Sequence, residues 1–264
     1  MMTRRHAAQW LFILACLWAH WPAGAQVVIP ESSVTPQTDA GARARMHTEL
    51  ASLYFQEGVP SVALEEAGIA INVDPSYALA YSVRALVYAS LRDFNSADAD
   101  FRKALSLAPG DPEISNNYGW YLCEQRNRPQ EAMAHFLNAI RNPLYGTPDI
   151  AYTNAGSCAM KAGDLVSARD YLTTAVRTGR GGALSAQLQL AKLAYQEGNM
   201  QEARNRLGEI IQRANTLPPD ALWLGVRIEH KLGNRAEETS LVAQLRRLYP
   251  NSLEYQEFLK GNYD

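Results

Sequence analysis

The sequence predicts an all-α chain, a right-handed α-solenoid of about six helix–turn–helix units closed by a short C-terminal capping helix. Three observations carry this expectation. Small residues recur along the chain in two phased series, turn-forming residues fall between the members of each pair, and the last apolar segment has the spacing of one short helix.

The first series holds Ala63, Ala97, Ala132, Ala168, Ala203 and Ala236, at spacings of 34, 35, 36, 35 and 33. The second holds Ala51, Ala85, Gly119, Gly156, Ala191 and Gly225, at spacings of 34, 34, 37, 35 and 34. Two antiparallel helices reach the near end of the usual 8–10 Å separation only where they cross at Gly or Ala, so both series mark helix pairs with the period of the tetratricopeptide repeat. The second unit fits best, with Tyr81, Ala85, Tyr88, Ala97, Phe101, Ala104 and Pro109 at the aromatic, small and closing positions. The first follows with Ala51, Tyr54, Ala63, Ala67, Ala70 and Pro75.

Turns are read at Arg92-Asp93, Arg126 to Pro129, Ala162 to Asp164, Glu197 to Asn199 and Leu232 to Asn234, which supply the Gly, Asn and Asp that tight helical connections need. The third unit carries an extra residue near Pro129, and the stretch from Asn142 to Pro148 makes a longer link to the fourth. The sixth unit is degenerate, and Leu253 to Leu259 supplies the cap that covers the last apolar face.

Ahead of the repeats, Arg4 and Arg5 precede an apolar stretch from Trp10 to Trp21, the pattern of an export signal. Two processing readings remain open. Ala23-Gly24-Ala25 offers small residues for signal-peptidase cleavage, giving a product that starts at Gln26, whereas Ile13-Leu14-Ala15-Cys16 resembles a lipobox in which Cys16 is lipidated. The expected organisation is a signal over 1–25, or one ending before Cys16, then a flexible linker over 26–42 and a repeat domain over 43–264. The linker expectation rests on Pro30, Pro36 and several Ser and Thr with almost no large apolar side chain.

The 264 residues are 47% hydrophobic with a net charge of −2, and the 25 basic residues are scattered, which argues against a nucleic-acid partner. No phosphate-cradling loop, paired helical His or Cys-x-x-Cys is present in the sequence, so no catalytic, metal or cofactor site is expected. His47, His135 and His230 fall in three different units and read as structural. Thr178 to Gly182 reads as a flexible connection, since no strand precedes it as an anion-binding loop requires. An enzyme using Cys123 as nucleophile would need a His in reach, and His135 lies across a turn from it. Cys123 and Cys158 fall at similar positions in adjacent units and form either a disulfide stapling units three and four or two buried thiols.

A protein-binding groove is expected on the inner face lined by the first helices. Counting from the small mid-helix residue, positions three before, one after and four to five after share one stripe. In the third unit these are Asn116, Trp120, Cys123 and Glu124; in the fourth, Thr153, Ser157, Met160 and Lys161. Ser82, Leu86, Lys192, Tyr195 and Gln196 extend the stripe in both directions. Trp120 reads either as an interface anchor or as a side chain packed against its neighbours.

Two stretches carry a more specific likeness. Asn116-Asn117-Tyr118-Gly119-Trp120-Tyr121-Leu122-Cys123 and the run from Leu245 to Phe258 resemble the type IV pilus biogenesis and stability family called PilW or PilF, over about residues 43 to 260. The resemblance implies a non-catalytic, pilotin-like protein facing the periplasm, usually an outer-membrane lipoprotein, whose partner is the secretin of the pilus system. Outer-membrane lipid joins the partners only if Cys16 is lipidated. The competing binding-module reading is a general envelope adaptor that recruits cell-wall enzymes.

Overall fold

The computed structural model describes residues 36–179 and 183–263. Six helix pairs follow one another: α1 (Pro36–Gln56) with α2 (Pro60–Val73), α3 (Ala78–Ser90) with α4 (Phe94–Leu107), and α5 (Pro112–Glu124) with α6 (Pro129–Arg141). They continue as α7 (Pro148–Lys161) with α8 (Leu165–Thr178), α9 (Ala183–Gln196) with α10 (Met200–Arg213), and α11 (Pro219–Lys231) with α12 (Arg235–Leu248). A single helix, α13 (Leu253–Leu259), closes the series, and no strand occurs among the described residues. The export signal, Cys16 and Arg180 to Gly182 lie outside the described residues.

The helices start and stop where local chemistry dictates. Asp93, Asp111, Asp164 and Ser252 are N-caps whose side chains accept hydrogen bonds from main-chain N–H groups of the first turn. Pro60, Pro112, Pro129, Pro148 and Pro219 occupy first-turn positions, where their missing N–H costs nothing. Most first helices end in one turn type, a left-handed residue followed by an N–H that reaches back five positions: Asp93 to the Tyr88 carbonyl at 2.9 Å, Asp164 to Ala159 at 2.9 Å and Asn199 to Ala194 at 2.8 Å. In the third unit the corresponding bond runs from Arg128 to the Leu122 carbonyl at 2.9 Å, six positions back. The extra residue expected there is absorbed by this wider turn, with Asn127 left-handed at φ 51°.

Arg92 takes the left-handed position in the second unit at φ 62°, where Gly58, Gly163, Gly198 and Gly233 serve the first, fourth, fifth and sixth units. A Cβ in this conformation costs about 1 kcal/mol. Arg92→Gly is therefore expected to stabilise the chain by about 1 kcal/mol in urea unfolding.

In five units the ladder of small side chains is the packing surface. Ala51, Ala85, Gly119, Gly156 and Ala191 on the first helices are buried, as are Ala63, Ala97, Ala132, Ala168 and Ala203 on the second. A Cβ added to Gly119 would lie 2.8 Å from the Phe136 ring, and one added to Gly156 would lie 2.5 Å from Cγ of Leu172. Glycine is required at both because the side chain of the paired helix already fills that space.

The sixth unit departs from the expected register. Ala236 is exposed, and the buried position four residues after the N-cap Asn234 belongs to Glu238. Gly225 is likewise one place early, since Val226, fully buried, stands seven residues before Gly233 as Gly156 does before Gly163. The hydrogen at Gly225 instead faces Leu207 of the fifth unit and Leu241 of its own, each 3.0 Å from an added Cβ.

Glu238 is tolerated there because Nδ1 of His230 lies 2.9 Å and Nη1 of Arg235 2.8 Å from its carboxylate oxygens. Burial alone would raise its pKa, but the hydrogen bonds from His230 and Arg235 outweigh burial and hold it below the ordinary 4.5. A carboxyl whose folded pKa is depressed adds stability above its unfolded value, and that gain is lost as pH falls through the folded one. Glu238→Gln should thus lower stability at pH 7 and flatten the acid limb of the stability curve below pH 4.5, read by thermal melts across pH.

The linker expectation also needs correction, because α1 begins at Pro36 and residues 36–42 belong to the first helix. Pro36 suits a first turn, Ala40, Ala42 and Ala44 favour helix, and Asp39 pairs with Arg43 across one turn at 3.6 Å. A count of large apolar residues missed a helix start that propensity supports.

Candidate functional site

The first helices of the third, fourth and fifth units frame a groove of about 570 Å³. Adjacent first helices are tied to one another, one repeat apart. Asn154 Nδ2 donates to Asn116 Oδ1 at 3.0 Å, and Asn117 Nδ2 donates to Ser82 Oγ at 3.3 Å. Lys161 Nζ caps the end of α5, donating to the Cys123 carbonyl at 3.1 Å and the Glu124 carboxylate at 3.3 Å. Lys192 Nζ reaches Asp220 at 2.8 Å.

Of the residues expected to form a binding stripe, Trp120, Cys123, Glu124, Thr153, Ser157, Met160, Lys161, Lys192 and Gln196 line this groove. Trp120 does both things considered for it. It packs against the buried clusters around Phe101 and Phe136 while one part borders the groove.

Asn116 and Tyr195 do not line the groove. Asn116 is buried with its carbonyl oxygen committed to Asn154. The Tyr195 ring lies under Arg227 and Lys231 of the sixth unit, 4.8 and 5.0 Å from its centroid.

The sequence reading passed over Asn154 and Gln189, which stand two positions before the small residues Gly156 and Ala191. The signal was present as helical spacing: Asn154, Ser157 and Lys161 fall three and four apart, as do Gln189, Lys192 and Gln196, so each set shares a face.

The groove is polar yet close to neutral. Its carboxylate Glu124 and cations Lys161 and Lys192 are engaged in ion pairs. Gln125, Asn154, Ser157, Ser185, Gln189 and Gln196 contribute uncharged donors and acceptors, and Phe136 forms a buried floor. Such a lining hydrogen-bonds an extended main chain and offers little to a polyanion.

The chemistry alternatives resolve on geometry. Cys123 and Cys158 are joined by a disulfide with their Cα atoms 6.0 Å apart, so Cys123 has no thiolate with which to attack a substrate. Each of the three histidines has a local partner: His47 sits 2.6 Å from Glu66, His230 is held by Glu238, and the His135 ring meets Tyr118 edge-on at 4.7 Å. Among the described residues no three His, Cys, Asp or Glu side chains converge as metal ligands.

Comparison with known proteins follows this geometry. The tetratricopeptide-repeat profile matches residues 78–111 and, in a second form, 124–183. The type IV pilus assembly protein PilF of Pseudomonas aeruginosa is 32% identical over 205 residues, a match spanning 78% of this chain and 80% of that protein. The crystal structure of PilW, described as a widely conserved type IV pilus biogenesis factor, superposes with a TM-score of 0.70 at 35% identity, covering 82% of this chain and 98% of that one. The structure of Pseudomonas aeruginosa PilF gives a TM-score of 0.65 at 29% identity, covering 84% and 99%.

Proposed function

The chain belongs to the PilF and PilW family of type IV pilus biogenesis proteins, and on that premise we propose that it is a non-catalytic scaffold whose groove receives an extended segment of the pilus secretin. Its action is to promote assembly or stability of the secretin ring. The working location is the periplasm, at the outer membrane if Cys16 is lipidated. Support for an exported protein comes from the charged and apolar N-terminus and from the Cys123–Cys158 bond, which suits an oxidising compartment.

The observation that carries the binding reading is the lining of the groove. Trp120 offers a rigid aromatic surface for a side chain, and the amides of Asn154, Gln189 and Gln196 offer paired donors and acceptors to a main chain. The ion pairs hold the first helices of adjacent units in register, so the groove is formed before a partner arrives.

Ser157→Arg and Gln189→Arg fill the groove from two partly exposed positions. Each is expected to retain the helical circular dichroism and melting temperature of the parent, while secretin multimers and surface pili fall by at least about tenfold, the effect of losing a central contact. Normal multimers and normal piliation in both variants, with the proteins folded and abundant, would exclude this groove as the secretin site.

A further inference from the structure

Beyond the open groove, the same face is covered at the sixth unit by the chain's own tail. Helix α13 ends in the left-handed turn that closes the first helices: Gly261 has φ 70°, and the Asn262 N–H reaches back to the Glu257 carbonyl at 3.0 Å. That turn sends the chain back over the first helices α9 and α11. The Tyr263 ring stacks on His230 at 3.9 Å and 17°, lies 5.6 Å from Trp223, and meets Phe258 edge-on at 6.4 Å. Its main-chain carbonyl accepts a hydrogen bond from the Tyr195 hydroxyl at 3.3 Å.

Tyr195, Trp223 and His230 occupy stripe positions of the fifth and sixth units, counted from Ala191 and from Val226. They are the counterparts of groove residues elsewhere on this face. The tail therefore makes the two contacts that a bound peptide makes, a ring in an aromatic pocket and a carbonyl held by a side chain.

We propose that Tyr195, Trp223, His230 and Phe258 form a second peptide-docking site, filled in cis by Tyr263, whose ligand in trans is an extended partner segment bearing an aromatic residue beside an acidic one. The aromatic requirement follows from the rings around Tyr263. The acidic requirement follows from charge: the Arg227 guanidinium and the Lys231 ammonium lie over the Tyr195 ring, Nε of Arg227 is buried with no hydrogen-bond partner, and Glu238, the carboxylate that borders Tyr263, is already paired with His230 and Arg235. The tail itself has the sequence Tyr263-Asp264. Its short connection to α13 gives the tail an effective concentration on the order of millimolar, enough to occupy a site of weak intrinsic affinity. The partner's identity rests on the scaffold role above; the existence of the site does not.

The test uses the full chain, the Tyr263→Ala variant and a synthetic peptide of residues 260–264, with binding measured by isothermal titration calorimetry. Tyr263→Ala should bind the peptide with an apparent affinity at least about tenfold above that of the parent, because the competing cis tail is gone. A peptide with Ala in place of Tyr should not bind, and Trp223→Ala in the Tyr263→Ala background should abolish binding while unchanged circular dichroism shows the fold intact. Equal binding to parent and variant, or none to the variant, would overturn the proposal. So would a Tyr263-dependent dimer of the parent in sedimentation, since the occupant would then be a second copy. All of these readouts use purified protein, so a chain with no part in pilus assembly could still pass, and a pilus scaffold could still fail.

Discussion

Replacing Cys123 and Cys158 together by alanine is expected to destabilise the chain by about 2–4 kcal/mol and to lower its melting temperature by about 5–10 °C. The bond joins residues 35 apart in sequence, and closing a loop of that length removes entropy from the unfolded chain. Both sulfurs belong to buried residues, so the alanine pair leaves a small void but strands no polar group. The loss should be uneven along the chain. In a repeat array each unit is stabilised by its neighbours, and this bond crosses the junction between the third and fourth units, where α6 and α7 are separated by residues 142–147. Hydrogen exchange is expected to accelerate most in α5 to α8, and adding a reductant to the parent should reproduce the effect. A melting temperature that responds to neither treatment would show that packing alone holds the junction.

The second large effect belongs to Gly156→Val, for which a destabilisation of about 3 kcal/mol is expected. Its Cβ would sit 2.5 Å from Cγ and 2.7 Å from Cδ2 of Leu172, and 3.3 Å from the Ala168 carbonyl. Leu172 is fully buried in a close-packed interior, so relieving the overlap pushes α7 and α8 apart. Removing the obstruction identifies the cause. Leu172→Ala, itself destabilising by about 2–5 kcal/mol, should combine with Gly156→Val at well below the sum of the two losses. Urea unfolding of both single variants and the double variant measures that coupling, and strict additivity would mean that the crossing does not depend on this contact.

The fold was legible in the sequence because close helix crossing imposes a residue type, not merely a hydrophobicity. Only Gly fits at Gly119 and Gly156, and fully buried Ala holds the same place at Ala51, Ala85 and Ala191, so the positions stand out by identity and period. The sixth unit was misread for the same reason. Glu238 occupies the small-residue position, and a search for small side chains settled on Ala236 instead. Its suitability depends on His230 and Arg235, and that three-way pairing has no signature in one sequence.

At the groove, helical spacing found the residues that point along one face, including Ser157, Met160 and Lys161. It missed Asn154 and Gln189 because the stripe was drawn too narrow, not because the signal was absent. Asn116 was misassigned for a different reason. An asparagine on the correct face is open or committed according to what its neighbour one repeat away donates, and only coordinates show the Asn154 amide in place. The disulfide was undecided on sequence because adjacency of units fixes the neighbourhood of two sulfurs but not the 6.0 Å between their Cα atoms.

Among the described residues, helix packing reaches no further than the adjacent pair. A chain wired so locally can organise in the direction of its own delivery: as it emerges N-terminus first from a narrow exit, α1 and α2 find their partners before α5 has appeared. Each newcomer then docks on a surface already complete. The short cap and Tyr263 follow the sixth pair in chain order, so the face they cover is built before its cover arrives.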